Sequence, residues 1–182
     1  MWDIADKVSV TPATVLCWMK KYNFKRRSSS ESAYAKHNPN GDPFKIKNRL
    51  TMKDKELLLS GLILYWAEGS RKNKHTIQIA NLDHRLILLF TKFLRNICGL
   101  RQDKLCLAIQ LYRDYDKEQA RNYWSRKLDI PKRFVSAHVH TDNRSKQNEQ
   151  WSKNGIARLE IRNMKLKQWI DLELEKYIEQ WN

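Results

Sequence analysis

The sequence predicts an α+β protein, and three observations carry that prediction. Apolar residues recur at helical spacing in several segments that begin with good capping residues. Four short runs, residues 75–80, 105–112, 134–140 and 156–162, alternate apolar and polar side chains as half-buried strands do. Between residues 25 and 49 neither period holds, and basic, serine, proline and glycine residues separate two unequal parts. The predicted organisation is a small helical module (1–27), a basic linker (28–50) and an α/β domain (51–182). In that domain a four-stranded, mainly antiparallel sheet is covered by helices.

Each element has its local reason. Ile4, Ala5 and Val8 line one face of a first short helix, and Ser9-Val10 makes the turn. Thr11 caps the next helix, with Pro12 at its preferred first position and Asn23 suited to a left-handed stop. Val15, Trp18 and Met19 form its apolar stripe. Thr51 with Asp54 opens a helix to Ala67 that Gly69 stops. Its C-terminal end is apolar nearly all round, which predicts burial. A helix over 83–98, stopped by Gly99, follows the first strand. Asp116 with Gln119 opens another, running to Leu128, and Asn163 caps the last. Helix, short loop and strand occur in that order at 93–109 and again at 123–139, a faint internal echo.

The chain of 182 residues carries 35 Lys and Arg against 20 Asp and Glu, a formal charge of +15. A folded chain that basic repels itself and matches a polyanion. The longest largely apolar run, residues 57–67, falls well short of the roughly 18–20 residues of a membrane span. Nucleic acid is therefore the expected partner, not a membrane. Cys17, Cys98 and Cys106 have no ligand spacing and each sits in an apolar stretch. They read as small buried hydrophobes in a reducing cytoplasm, and the expected location is cytoplasmic, associated with the nucleoid. With five glycines in all, no phosphate-cradling loop can be built, which excludes P-loop and Rossmann readings.

The run Ile4-Ala5-Asp6-Lys7-Val8-Ser9-Val10-Thr11-Pro12-Ala13-Thr14-Val15 resembles the helix-turn-helix of many bacterial DNA-binding proteins. Small Ala5 lets the helices approach and Val10 plugs their junction. That resemblance places Thr11, Ala13 and Thr14, with Cys17 beside them, near base edges in a major groove. Lys20, Lys21 and Lys25 then sit by phosphates, and Arg26 and Arg27 suit a minor groove. The usual module has a further helix in front, so Ile4, Val15 and Trp18 are expected to be incompletely covered.

Gly61-Leu62-Ile63-Leu64-Tyr65-Trp66-Ala67-Glu68-Gly69 resembles the signature helix of the LAGLIDADG homing endonucleases, in which paired helices end in an acidic residue and glycine. With the helix-turn-helix and the Gly41-Asp42-Pro43-Phe44-Lys45-Ile46-Lys47 linker, the chain resembles a bacterial and archaeal group carrying one such motif. The resemblance implies a homodimer with its signature helices side by side. It makes Glu68 the catalytic carboxylate and metal ligand, holding Mg²⁺ against a scissile phosphate if the protein cleaves. Trp66 stands at the motif's earlier acidic position and Ile63 at its internal glycine position. A carboxylate at a helix C-terminus faces the negative end of the dipole, so Glu68 needs a positive neighbour, either a cation or Arg71, Lys72 or Lys74. Gly61 suggests a closely packed neighbour, which the resemblance makes the same helix of a second subunit.

Strand alternation supplies the last signal. Ile77, Ile79, Leu105 through Leu111, Val135 through Val139, Leu159 and Ile161 point to covering helices. The opposite face shows Thr76, Gln78, Gln110, Tyr112, His138, His140, Arg158 and Arg162, groups suited to base edges and phosphates. His138 and His140 have no third ligand nearby, which argues against a metal there. The loop over 141–154, with Arg144, Lys146, Trp151 and Lys153, is placed to reach along a groove. Two functions stay open: a homodimeric, sequence-specific double-stranded DNA-binding protein with Mg²⁺-dependent cleavage, or a non-catalytic regulator on a nuclease-like fold. Trp66 favours the regulator and Glu68 the enzyme. A tRNA- or rRNA-binding factor fits the charge but not the helix-turn-helix.

Overall fold

Six short polar side chains set where the longer helices begin. In the computed structural model, Thr11, Ser28, Thr51, Asp83, Asp116 and Asn163 each accept a hydrogen bond from a backbone N–H of the first turn that follows. Each satisfies a donor that the helix itself leaves unpaired. The structure describes residues 2–70, 72–112, 115–139 and 153–181. The chain divides into two compact units, residues 1–42 and 43–182.

In the first unit, α1 (Trp2–Lys7) and α2 (Pro12–Lys21) pack together across a turn in which Ser9 takes a left-handed φ of 53°. Val10 N–H donates to Ala5 C=O at 3.0 Å, and Asn23, also at φ 53°, ends α2. Ala5 and Val15 are buried at the contact, whereas Trp2, Ile4, Val8 and Trp18 are exposed. The expected lack of cover thus holds for Ile4 and Trp18 but not for Val15. A third helix, α3 (Ser29–His37), occupies part of the segment expected to be linker. Ser28 and Glu31 close a capping box that nucleates it, although it has no apolar face and buries no residue.

The linker expectation also fails at its other end, because residues 43–50 belong to the second unit. Phe44, Ile46 and Leu50 pack against the core, and the Lys45 and Lys47 N–H groups donate to the Cys98 and Ile97 carbonyls. From there the order is α4 (Met52–Glu68), β1 (Thr76–Asn81), α5 (His84–Asn96), β2 (Cys106–Leu111), α6 (Lys117–Leu128), β3 (Val135–Val139), β4 (Ile156–Arg162) and α7 (Met164–Glu179). The sheet order is β1-β4-β2-β3. β4 pairs antiparallel with β1 and β2, while β2 and β3 are parallel, so the sheet is mixed. The two strands of the parallel pair are those of the internal echo: α5 and α6 are each followed by a left-handed residue (Gly99, Asp129), a 3-10 turn and a strand.

One sheet face is buried under the helices. Ile77, Ile79, Leu107, Ile109, Leu111, Val135, Ala157, Leu159 and Ile161 join Tyr65, Phe90, Phe93, Trp124, Ile170 and others in one core. Each fully buried large apolar side chain stabilises the unit by roughly 1.5–3 kcal/mol. Gly61 of α4 sits against α5: a Cβ built there would lie 2.2 Å from the Phe93 ring. The close neighbour that this glycine admits is therefore within the chain, not a helix of a second subunit. Nor is α4 buried all round, because Ile63 and Trp66 are 41% and 46% exposed. Cys98 is buried, but Cys17 and Cys106 are exposed, correcting the expectation for those two. Both lie on the solvent side of amphipathic elements, where an apolar neighbourhood in sequence does not mean burial. Among the described residues, no helix is long and apolar enough to cross a membrane.

Candidate nucleic-acid interface

Side chains two apart on a strand share a face, so register determines which groups meet on the open side of the sheet. Thr76 stands opposite Arg162, Gln78 opposite Glu160, and Ala80 opposite Arg158. On the other side of β4, Cys106 faces Glu160, Ala108 faces Arg158, and Gln110 faces Ile156. Gln110 also neighbours His138, and Ala108 neighbours Ser136. Gln110, His138, Arg158 and Arg162 are exposed, Gln78 is half-buried, and Tyr112 lies half-buried just past the end of β2. Thr76 shares the face but is buried. The small Ala80, Ala108 and Ser136 share one row with Arg158, which therefore stands clear of its cross-strand neighbours. His140 lies outside the described residues, as do Arg144, Lys146 and Trp151.

The sequence reading passed over Glu160, the acidic group of this face. Its carboxylate accepts a hydrogen bond from Arg162 Nε at 2.7 Å and lies 4.0 Å from Arg158 Nε. The alternation that selected its neighbours selects it equally, so its position was legible.

In the first unit, Thr11 serves its helix. Its Oγ1 accepts from Thr14 N–H at 3.2 Å and lies 2.9 Å from Thr14 Oγ1. Ala13 is exposed and Thr14 half-buried beside it. Lys20 and Lys21 occupy the last turn of α2, where cations complement the helix dipole. Lys25, Arg26 and Arg27 are exposed in the segment that leads to α3. Their field reaches α3: Glu31 is held below the ordinary carboxylate range, first by the Ser28 backbone N–H and to a lesser extent by Lys25 and Arg27.

Glu68 ends α4 and is exposed. The chain beyond it runs along the β1 edge, where Gly69 bridges to Ile79 and Ser70 N–H donates to Gln78 C=O at 2.9 Å. A Cβ on Gly69 would lie 2.2 Å from Tyr65 O, so only glycine fits that exit. Of the cations expected to offset Glu68, Arg71 lies outside the described residues, and Lys72 and Lys74 are exposed. A positive charge that the sequence reading missed lies beside this last turn. Lys167 of α7, its side chain 4% exposed, pairs with Asp171 and stands 5.4 Å from the Tyr65 ring centre. Burial pulls its ammonium pKa down, but bonds to Asp171 and Tyr65 outweigh this and the net shift is upward. Its one signal in the sequence is the spacing of Lys167 and Asp171, four apart on a helix.

Among the described residues, no three His, Cys, Asp or Glu side chains cluster as metal ligands. Glu68 alone is not a donor set that fits Mg²⁺, which wants several oxygens in near-octahedral order. The chain matches no protein-family model, no curated protein and no solved structure.

Proposed function

We propose that this is a sequence-specific double-stranded DNA-binding protein that acts as a homodimer. The observation that carries the reading is the uncovered sheet face of a chain with a formal charge of +15. There Gln78, Gln110, His138, Arg158 and Arg162 offer donors and acceptors while the opposite face is buried. Glutamine pairs with adenine and arginine with guanine in the major groove. The N-terminal helical pair supports the reading as a second contact module. Its left-handed turn and buried Ala5–Val15 junction suit a helix-turn-helix, with Ala13 and Thr14 towards bases and Lys20, Lys21, Lys25, Arg26 and Arg27 towards phosphates.

The uncovered stripe of α4 favours the homodimer. Exposed Ile63 and Trp66 follow half-buried Leu59 at coiled-coil spacing, and a second copy of the stripe is the partner that the LAGLIDADG resemblance implies. Glu68, nine residues after Leu59, lies about 180° round the helix from that stripe, so docking along it leaves the two Glu68 side chains off the seam. With a single carboxylate per chain and Trp66 at the earlier acidic position, the regulator is the reading that the donor set favours. Mg²⁺-dependent cleavage is the enzymatic alternative.

Incubating the protein with a random-site duplex library, with and without Mg²⁺, then sequencing bound molecules and their ends, tests this. Enrichment of one site without new ends supports the binding protein. New ends that vanish in Glu68→Gln make it an endonuclease. Failure to enrich any site, with no fall in affinity as salt rises, removes DNA from the reading.

A further inference from the structure

The centre of the open sheet face holds a carboxylate, which a surface built only to grip phosphates would exclude. Glu160 lies midway along β4, an interior strand, between Gln78 on β1 and Cys106 on β2. Its side chain is 18% exposed, whereas those of Arg158 and Arg162 are 50% and 84% exposed. The three form an Arg–Glu–Arg column along one strand face, with Glu160 bonded to Arg162 at 2.7 Å and 4.0 Å from Arg158. The hydrogen bond to Glu160 also raises the Arg162 guanidinium above its ordinary value. Near a DNA backbone this carboxylate both neutralises its arginines and repels phosphate.

We propose, resting on the DNA-binding reading above, that Glu160 is a specificity-determining residue that withholds Arg158 and Arg162 from phosphates. It releases them to a major-groove edge offering acceptors to the arginines and a donor to the carboxylate. G·C pairs supply that combination: guanine O6 and N7 accept from arginine, and cytosine N4 donates to a carboxylate. The spacing agrees. Side chains two apart on a strand lie about 6.6 Å apart, close to two rises of about 3.4 Å along one DNA strand. A phosphate offers the carboxylate no donor, so a non-specific complex must break the ion pairs and leave Glu160 facing like charge. Rejecting the wrong partner by such repulsion is a common source of specificity.

The test measures salt-dependent binding of the full chain to a random-sequence duplex pool, together with site selection from that pool. Wild type is compared with Glu160→Gln, Glu160→Ala, Arg158→Gln/Arg162→Gln, and the triple variant. Circular dichroism checks folding, which a change on the open face is expected to leave intact. Glu160→Gln should bind the pool about tenfold more tightly at low salt, with a slope steeper by about one phosphate contact. Its selected site should lose a G·C preference on the order of tenfold at one position. In the background lacking both arginines, the same change should alter neither quantity. An unchanged slope and unchanged site in Glu160→Gln and Glu160→Ala overturn the proposal. So does an equal gain without the arginines, which makes Glu160 a plain repulsive charge. If Arg158→Gln/Arg162→Gln leaves binding untouched in otherwise wild-type protein, the sheet face is not the DNA surface and the reading beneath the proposal falls too.

Discussion

The two units use the same local devices and reach different ends. In both, side-chain caps start helices and left-handed residues stop them: Thr11 and Asn23 in the first unit, Asp83 and Gly99 in the second. Beyond these devices they diverge. The second unit buries apolar side chains from four helices and four strands in one core, whereas the α1–α2 pair buries Ala5 and Val15 and leaves Trp2, Ile4, Val8 and Trp18 exposed. Correct local signals therefore specify a helix and its ends. Stability comes from the apolar area the helices remove from water, and short helices are marginal without it.

The sharpest way to break that comparison is to truncate one tryptophan in each unit. Trp124 is fully buried and its indole N–H donates to Asn154 C=O at 2.7 Å. Trp124→Ala should cost about 3–5 kcal/mol in urea denaturation. Trp18→Ala should change the main transition by less than about 0.5 kcal/mol, as surface substitutions do. Equal losses would mean that Trp18 is covered in solution and the contrast between the units is false.

A smaller effect sharpens the account of the second unit. Gly61→Leu forces a side chain into the Phe93 ring and should destabilise the fold by about 1–3 kcal/mol, measured by urea denaturation alongside light scattering. A variant that loses the dimer while keeping wild-type stability would return Gly61 to an intersubunit role.

The smallest effect is electrostatic. The Lys47 ammonium beside Asp54 and the Arg85 guanidinium beside Asp83 hold both capping carboxylates down to about 2, from 3.8. Because the folded values are depressed, the stabilisation is present above about pH 4 and is lost as pH falls towards 2. Urea midpoints should drop through that window, and Asp54→Asn should flatten part of the drop. An unaltered pH profile in that variant would remove Asp54 from the acid response.

Helix starts and stops, the four strands and the open sheet face were legible in the sequence, because each rests on residues within about four positions or on a period of two. Ile156–Arg162 runs over the residues the alternation marks out, and Asp116 and Asn163 cap the helices they were expected to cap. The capping box of α3 was legible as well, but serine and charge without an apolar stripe read as linker. Other features depend on which element packs on which, and no local rule carries that. Parallel pairing of β2 with β3 follows from where α6 lies, Phe93 fills the space at Gly61, and Lys167 reaches Tyr65 only because α7 packs beside α4. The sequence by itself determined the elements and the polarity of their faces, since caps and periodicity act along the chain. Tertiary structure alone decided which strands lie side by side, and so that Gln78 and Cys106 flank Glu160 on the open face, because strand register joins residues far apart in sequence.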